Sequence, residues 1–125
     1  MKTVLILDDD NAVRDSLVYY FEDRGWTVLP ATSAEEALDI LQHEMPDGAV
    51  VDIRLPGMDG NEFIRLACKI HTCLAYVIVT GSPEYRLPED VKTMPPVSDN
   101  VFSKPVVKLH LLEEALLHQI DQCTE

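Results

Sequence analysis

Three consecutive acids, Asp8-Asp9-Asp10, follow the apolar run Val4-Leu5-Ile6-Leu7, and another acid, Asp52, closes the run Ala49-Val50-Val51. Thr80 ends a third run, Tyr76-Val77-Ile78-Val79, and Lys104 follows a short fourth, Val101-Phe102-Ser103. Polar residues placed at strand ends in this way can do chemistry together. Two carboxylates about 4 Å apart repel by about 1 kcal/mol in water and by about 4 kcal/mol at an effective dielectric of 20. Three gathered acids therefore need a cation. An all-oxygen donor set completed by water suits magnesium, or manganese in its place. Lys104 brings a second positive charge and Thr80 a hydroxyl donor. A cation, an ammonium and a hydroxyl around one carboxylate are what phosphoryl transfer to that carboxylate requires: the positive groups neutralise the equatorial oxygens while the carboxylate attacks in line. Asp52, central among these residues, is the expected nucleophile.

Such a site needs the runs to be strands of one parallel sheet, because the carboxyl ends of parallel strands share an edge and ligands bind there at the topological switch point. The chain alternates β-rich runs with helical spacing, the mark of an α/β doubly wound sheet. The pattern predicts a strand over Thr3 to Leu7 and a helix from about Asn11, with Val13, Leu17, Tyr20, Phe21 and Arg24 on one side and Gly25 as its stop. Thr27 to Leu29 reads as a second strand. Ser33 opens a second helix in which Ser33 and Glu36 form a capping box and Ala37, Leu38 and Leu41 face inward. Gly48 to Val51, apolar throughout, fits a strand buried on both faces and ends at Asp52. Leu55 to Gly60 is turn chemistry, and Phe63, Ile64 and Ala67 mark a third helix. Tyr76 to Val79 and Val101 to Ser103 complete five strands, and Leu109, Leu112, Leu116 and Ile120 line a last helix. Between Ser82 and Asn100, Pro83, Pro88, Pro95 and Pro96 confine any fourth helix to roughly Glu89 to Thr93, since an interior proline costs about 3 kcal/mol.

Leu7-Asp8-Asp9, Val51-Asp52-Ile53-Arg54-Leu55-Pro56-Gly57-Met58-Asp59-Gly60, Val79-Thr80-Gly81 and Ser103-Lys104-Pro105 together resemble the response-regulator receiver family, in order and over nearly the whole chain. The resemblance implies a (βα)5 receiver fold with strand order 2-1-3-4-5, carried over from the family. It implies that Asp52 becomes an aspartyl phosphate in a two-component or phosphorelay system. Asp9, Asp52 and the backbone carbonyl of Arg54 would hold the magnesium, with Asp8 acting largely through water. Thr80 would bond a phosphoryl oxygen and move with it, Lys104 would pair with the phosphoryl group, and the Lys104-Pro105 peptide would be cis. The donor would be a phosphohistidine on a sensor histidine kinase or phosphotransfer protein. The domain would act as a switch rather than as a turnover enzyme, through a downstream protein partner or a detached output domain. One departure stands out. The family usually carries a switching aromatic three residues before the lysine, where this chain has Val101, while strand alternation turns the adjacent Phe102 the other way, into the core. Arg54 and Ser82, two places beyond Asp52 and Thr80, flank the approach of attacking water.

Composition narrows the function further. The formal net charge of -12 argues against direct nucleic-acid binding. No stretch approaches the roughly 20 apolar residues of a membrane span. Together with an odd number of cysteines, three, this predicts a cytoplasmic chain, and its 125 residues read as one domain, 1–125. Cys68, His71 and Cys73 lack a fourth ligand for structural zinc. Leu111 and Leu117, off the buried stripe of the last helix, offer a surface for a homodimer or another partner. Two rival readings remain. Asp8-Asp9-Asp10 is similar to the Asp-x-Asp motif of haloacid dehalogenase-type phosphatases, yet Ala12 stands where threonine or valine is usual and Asp52 would have no role. A phosphorylation-independent adaptor would keep the scaffold, although such proteins usually lose an acid or the lysine.

Overall fold

Among the described residues ten elements alternate: β1 (Thr3–Leu7), α1 (Asn11–Asp23), β2 (Thr27–Ala31), α2 (Ala34–Leu41), β3 (Gly48–Asp52), α3 (Gly60–Ile70), β4 (Ala75–Thr80), α4 (Glu89–Lys92), β5 (Val97–Ser103) and α5 (Leu109–Gln122). The computed structural model describes residues 2–82, 84–93 and 97–122, with the backbone alone for 97–100. All strand pairings are parallel and the order is β2-β1-β3-β4-β5, as the resemblance implies.

Period-two alternation sorts the strand residues onto two faces. Leu5, Leu7, Ala49, Val51, Tyr76 and Ile78 turn toward α2, α3 and α4, where they bury Ala37, Leu41, Phe63, Ile64, Ala67 and Val91. Val4, Ile6, Val50, Val77 and Val79 turn the other way, onto Leu17 and Phe21 of α1 and Leu112, Leu116 and Ile120 of α5. Each large side chain removed from water in these layers stabilises the fold by about 1.5–3 kcal/mol. The same alternation holds at β5: Val101 packs on the first cluster and Phe102 on the second.

Local chemistry sets where the helices begin and end. The Asp10 carboxylate accepts the amides of Ala12 and Val13 at 2.9 and 3.2 Å and so starts α1. Gly25, with φ of 91°, reverses the chain after it. Ser33 Oγ accepts the Glu36 amide at 3.1 Å. Glu36 does not close the box on Ser33; its Oε1 reaches one residue further back, to the Thr32 amide at 2.7 Å and the Thr32 hydroxyl at 2.8 Å.

Two boundaries differ from those expected by two residues or more, at β2 and β5, while the one-turn α4 falls where the prolines confine it. β2 continues through Pro30 to Ala31, which an edge strand tolerates because one side of its backbone needs no partner. β5 starts at Val97 instead of Val101. α4 is one turn, with Pro88 as its N-cap and Thr93 closing it. Pro83, Pro95 and Pro96 lie outside the described residues.

Candidate functional site

The carboxyl ends of β1, β3, β4 and β5 lie side by side at one rim of the sheet and bring together Asp8, Asp52, Thr80 and Lys104. Asp8 extends β1 by one residue: its amide donates to Ala31 O at 3.2 Å, and its Oδ1 accepts the Asp10 amide at 2.9 Å. Arg14 Nη1 on α1 donates to Asp8 O at 2.9 Å, which holds the turn shut from the helix side. Asp52 ends β3 in register with Val79, and its Oδ1 accepts the Arg54 amide at 3.3 Å. Lys104 is placed by its own backbone, whose amide donates to Thr80 O at 3.0 Å, and the following Lys104-Pro105 peptide is cis. Its ammonium reaches Asp8 Oδ2 at 3.0 Å and Asp52 Oδ2 at 3.1 Å and bridges the two acids.

These charges are largely out of water: Asp8 is 1% exposed, Asp52 2% and Thr80 2%. Burial and then the charge of Asp8 push the Asp52 carboxyl up to about 6, against the pull of Lys104 and the Arg54 amide. At Lys104, burial works against the charge, but the hydrogen bonds and charges of Asp8 and Asp52 outweigh it and hold the ammonium above its ordinary value. One carboxylate oxygen from each of Asp8, Asp9 and Asp52 lies within 4.8 Å of the others. Three carboxylates facing one ammonium leave two negative charges uncompensated, and every donor is a hard oxygen. That set fits a divalent ion of the magnesium type.

The loops around this rim add one residue whose role the sequence alone did not single out, Gly60. A Cβ on Gly60 would lie 2.5 Å from Asp52 O and 2.9 Å from Ile53 Cα, so the start of α3 sits directly on the end of β3 and only glycine fits there. Its position just after Asp59, the α3 N-cap, was the available signal, and it read only as turn chemistry. Arg54 Nη2 donates to Ser82 Oγ at 3.0 Å, Ser82 Oγ donates on to Glu84 Oε1 at 3.3 Å, and the Ser82 amide donates to Thr80 Oγ1 at 3.1 Å. The two residues expected to flank the approach of water are thus bonded to each other.

The response regulator receiver domain family matches residues 4–116. The chain belongs to that family. Among its relatives is sporulation initiation phosphotransferase F of Bacillus subtilis, 30% identical over 102 residues, covering 82% of this chain and 81% of that protein. A cyclic di-GMP phosphodiesterase of Thermotoga maritima is 32% identical over 119 residues, 94% of this chain but 31% of that protein. The chain spans about a third to a half of the length of the first curated relatives it matches. A CheY-like receiver domain protein from Methanospirillum hungatei superposes with a TM-score of 0.80 at 29% identity, over 98% of this chain and 96% of that one. The response regulator TrrA of Thermotoga maritima, solved in complex with Mg(2+)-BeF, shares the fold at a TM-score of 0.80 and 22% identity, over 99% of this chain and 100% of that one.

The family match disfavours the phosphatase reading of Asp8-Asp9-Asp10, since the acids that cluster are Asp8, Asp9 and Asp52 while Asp10 caps α1. Cys68, His71 and Cys73 form no metal-holding group among the described residues. Cys68 Sγ donates to Tyr76 Oη at 3.7 Å and His71 Nε2 donates to Leu41 O at 2.9 Å, both inside the receiver scaffold. No helix among the described residues is long and apolar enough to cross a membrane.

Proposed function

We propose that this receiver domain accepts a phosphoryl group on Asp52 from a phosphohistidine of a sensor histidine kinase or phosphotransfer protein. The observation that carries the reading is the Lys104 ammonium seated on both Asp8 and Asp52, with Asp9 at the same rim. An Asp52 Oδ attacks phosphorus in line as the phosphorus–nitrogen bond of the donor breaks, and the imidazole leaves with the electron pair. Lys104 Nζ sits 3.1 Å from Asp52 Oδ2, beside the nucleophile, where it would neutralise charge gained by the oxygens of the transferring group. Thr80 Oγ1 accepts from the Ser82 amide, which leaves its own proton free to donate to a phosphoryl oxygen. Asp8, Asp9, Asp52 and the Arg54 carbonyl would hold magnesium or manganese, which supplies charge neutralisation at the transferring group.

Phosphotransferase activity in the Bacillus relative, a sensor kinase named CckA among the matched proteins and the Mg(2+)-BeF bound by TrrA support this reading. We assign the whole chain, 1–125, to one cytoplasmic domain that switches protein partners, with a downstream protein or a detached output domain as receiver of the signal. A homodimer through Leu111 and Leu117 belongs to the same proposal, with Leu111 exposed and Leu117 half-buried against α5's own core.

The test is phosphate uptake with magnesium and a small phosphodonor, followed by intact mass and peptide mapping. One phosphate per chain on Asp52, absent from Asp52→Asn and lost on magnesium removal, is expected. Wild-type protein that gains none would establish the phosphorylation-independent adaptor instead.

A further inference from the structure

The turn between β1 and α1 carries two of the three acids at the rim, and one guanidinium fastens it. Asp8 is held at each of its polar atoms. Its amide donates to Ala31 O at 3.2 Å, its Oδ1 accepts the Asp10 amide at 2.9 Å, its Oδ2 meets the Lys104 ammonium at 3.0 Å, and its carbonyl oxygen accepts from Arg14 Nη1 at 2.9 Å. Arg14, half-buried one turn into α1, donates its other terminal nitrogen, Nη2, to Asn11 Oδ1. Both acceptors are neutral, so the guanidinium closes the turn without neutralising the carboxylates at the rim. Bonds from Thr32, and then the charge of Arg14, hold the Glu36 carboxyl of α2 below its ordinary value, which places the guanidinium on the side of the turn that faces α2. Asp9 is the exposed member of the three acids, and one of its carboxylate oxygens lies within 4.8 Å of one from each of Asp8 and Asp52.

We propose that Arg14 is a positioning residue for the divalent ion: by holding the Asp8 carbonyl it sets the turn on which Asp9 meets Asp8 and Asp52. This rests on the proposed magnesium site and adds the side chain that keeps the turn in place before the ion binds. Charge and position act in opposite directions here. A cation beside the acids repels a divalent ion, so on charge alone removing Arg14 would tighten the metal. A partner that orients a ligand-bearing segment acts the other way. Without it the turn must be ordered as the ion binds, and that conformational cost weakens the metal. The guanidinium directs two donors of its rigid fork at Asp8 O and Asn11 Oδ1 at once, a geometry that a lysine ammonium does not reproduce.

Titration calorimetry of the whole chain with magnesium chloride tests this. Arg14→Met keeps the apolar stem and removes the donors, and it is expected to weaken magnesium by about ten-fold, the low end for an outer partner of a metal ligand. Arg14→Lys, with the charge kept, is expected to fall between that variant and wild type, and it carries the test alone if Arg14→Met does not fold. Melts in a chelator are expected to leave Arg14→Met within about 5 °C of wild type, the size of one partly exposed hydrogen bond. In phosphate uptake from a small phosphodonor, the magnesium concentration at half-maximal rate should rise by the same factor as the dissociation constant. The rate at saturating magnesium should stay within about two-fold of wild type. Magnesium bound by Arg14→Met as tightly as by wild type, or more tightly, overturns the proposal alone and leaves the Asp52 reading standing. Wild-type protein that binds no magnesium, or no more tightly than Asp52→Asn does, overturns the reading of the acids as metal ligands and this one with it.

Discussion

Glu113 of α5 is a buried acid outside the Asp8–Asp52–Lys104 cluster, and its truncation is a sharp test of how the α1–α5 face is held. Its carboxylate accepts from Trp26 Nε1 at 2.9 Å, from the Tyr20 hydroxyl at 2.8 Å and from Arg24 Nε at 3.0 Å. Glu113→Ala leaves the buried indole N–H without an acceptor, which costs about 1–3 kcal/mol. The Tyr20 hydroxyl is half-buried and can turn to water, and the Arg24 side chain is 56% exposed, so its pair adds less than about 1 kcal/mol. The expected loss is about 2–4 kcal/mol, or roughly 8–16 °C in Tm for a domain of this size. Glu113→Gln keeps one acceptor oxygen and is expected to lose about half as much. Burial alone would raise the Glu113 carboxyl, but the hydrogen bonds from Trp26 and Tyr20 and the charge of Arg24 outweigh it and hold it below the ordinary 4.5. A depressed pKa contributes stability that is full above the unfolded value and is lost as pH falls through the folded one. The gap between wild type and Glu113→Ala should therefore be full at pH 7 and narrow below about pH 4.5. Urea unfolding followed by circular dichroism, with Trp26 fluorescence as a second probe, measures it. A loss under about 0.5 kcal/mol at pH 7, or a gap as wide at pH 3 as at pH 7, would refute the assignment of this cluster as a hydrogen-bonded anchor.

At the Asp8–Asp52–Lys104 cluster the linkage runs the other way. Because the Asp52 carboxyl is raised to about 6 from 3.8, the folded chain holds a proton that the unfolded chain has released, and stability falls as pH rises through that window. With divalent ions chelated, Asp52→Asn is expected to raise stability at pH 7.5 by roughly 1–3 kcal/mol and by little at pH 4, as calorimetry at the two values would show; no gain at pH 7.5 contradicts it. Gly60→Ala forces a Cβ onto the backbone of Asp52 and Ile53 and is expected to cost about 1–3 kcal/mol and to slow phosphate uptake. Gly81→Ala, where a Cβ meets nothing within 4 Å, is the control and should stay within about 0.5 kcal/mol of wild type in the same melts.

The meeting of Asp8, Asp52, Thr80 and Lys104 at one rim was legible in the sequence because a parallel sheet converts strand ends into neighbours. Asp8, Asp52, Thr80 and Lys104 are far apart in sequence, yet each terminates an apolar run, and the topology rule does the rest. The same rule says nothing about pairs that meet across helices. Glu113 finds Trp26 and Tyr20 across gaps of 87 and 93 residues, and an acid on α5 reads as solvated until the fold places an indole N–H against it. Helical spacing put Arg24 on the inner side of α1, and its guanidinium does turn to Glu113 while most of the side chain stays in water. The β5 start at Val97 was missed because Ser98-Asp99-Asn100 carries no strand signal; pairing with β4, which shifts register between Tyr76 and Ile78, extends the strand there. The bond from the Tyr85 hydroxyl to Asn61 was invisible for a different reason. A tyrosine among prolines in a loop has no period to betray which way its ring turns.

These two anchors, unequal in strength, also say which part of the molecule is free to respond. Glu113 fastens α5 to α1 and to the start of β2 through three donors, two of them on α1 or its cap and one buried. α5 buries Leu112, Leu116 and Ile120 besides, so displacing it would forfeit both the cluster and a full apolar face. The opposite flank of β5 is held far more lightly. α4 is four residues long with Val91 its one buried side chain, below the length at which a helix sustains itself, and its outer tie is the exposed Arg65–Asp90 pair. Local opening draws on weakly packed segments, and among the described residues the stretch from Tyr85 through α4 is one of them. β5 therefore has a firmly anchored helix on one side and a lightly tied turn on the other.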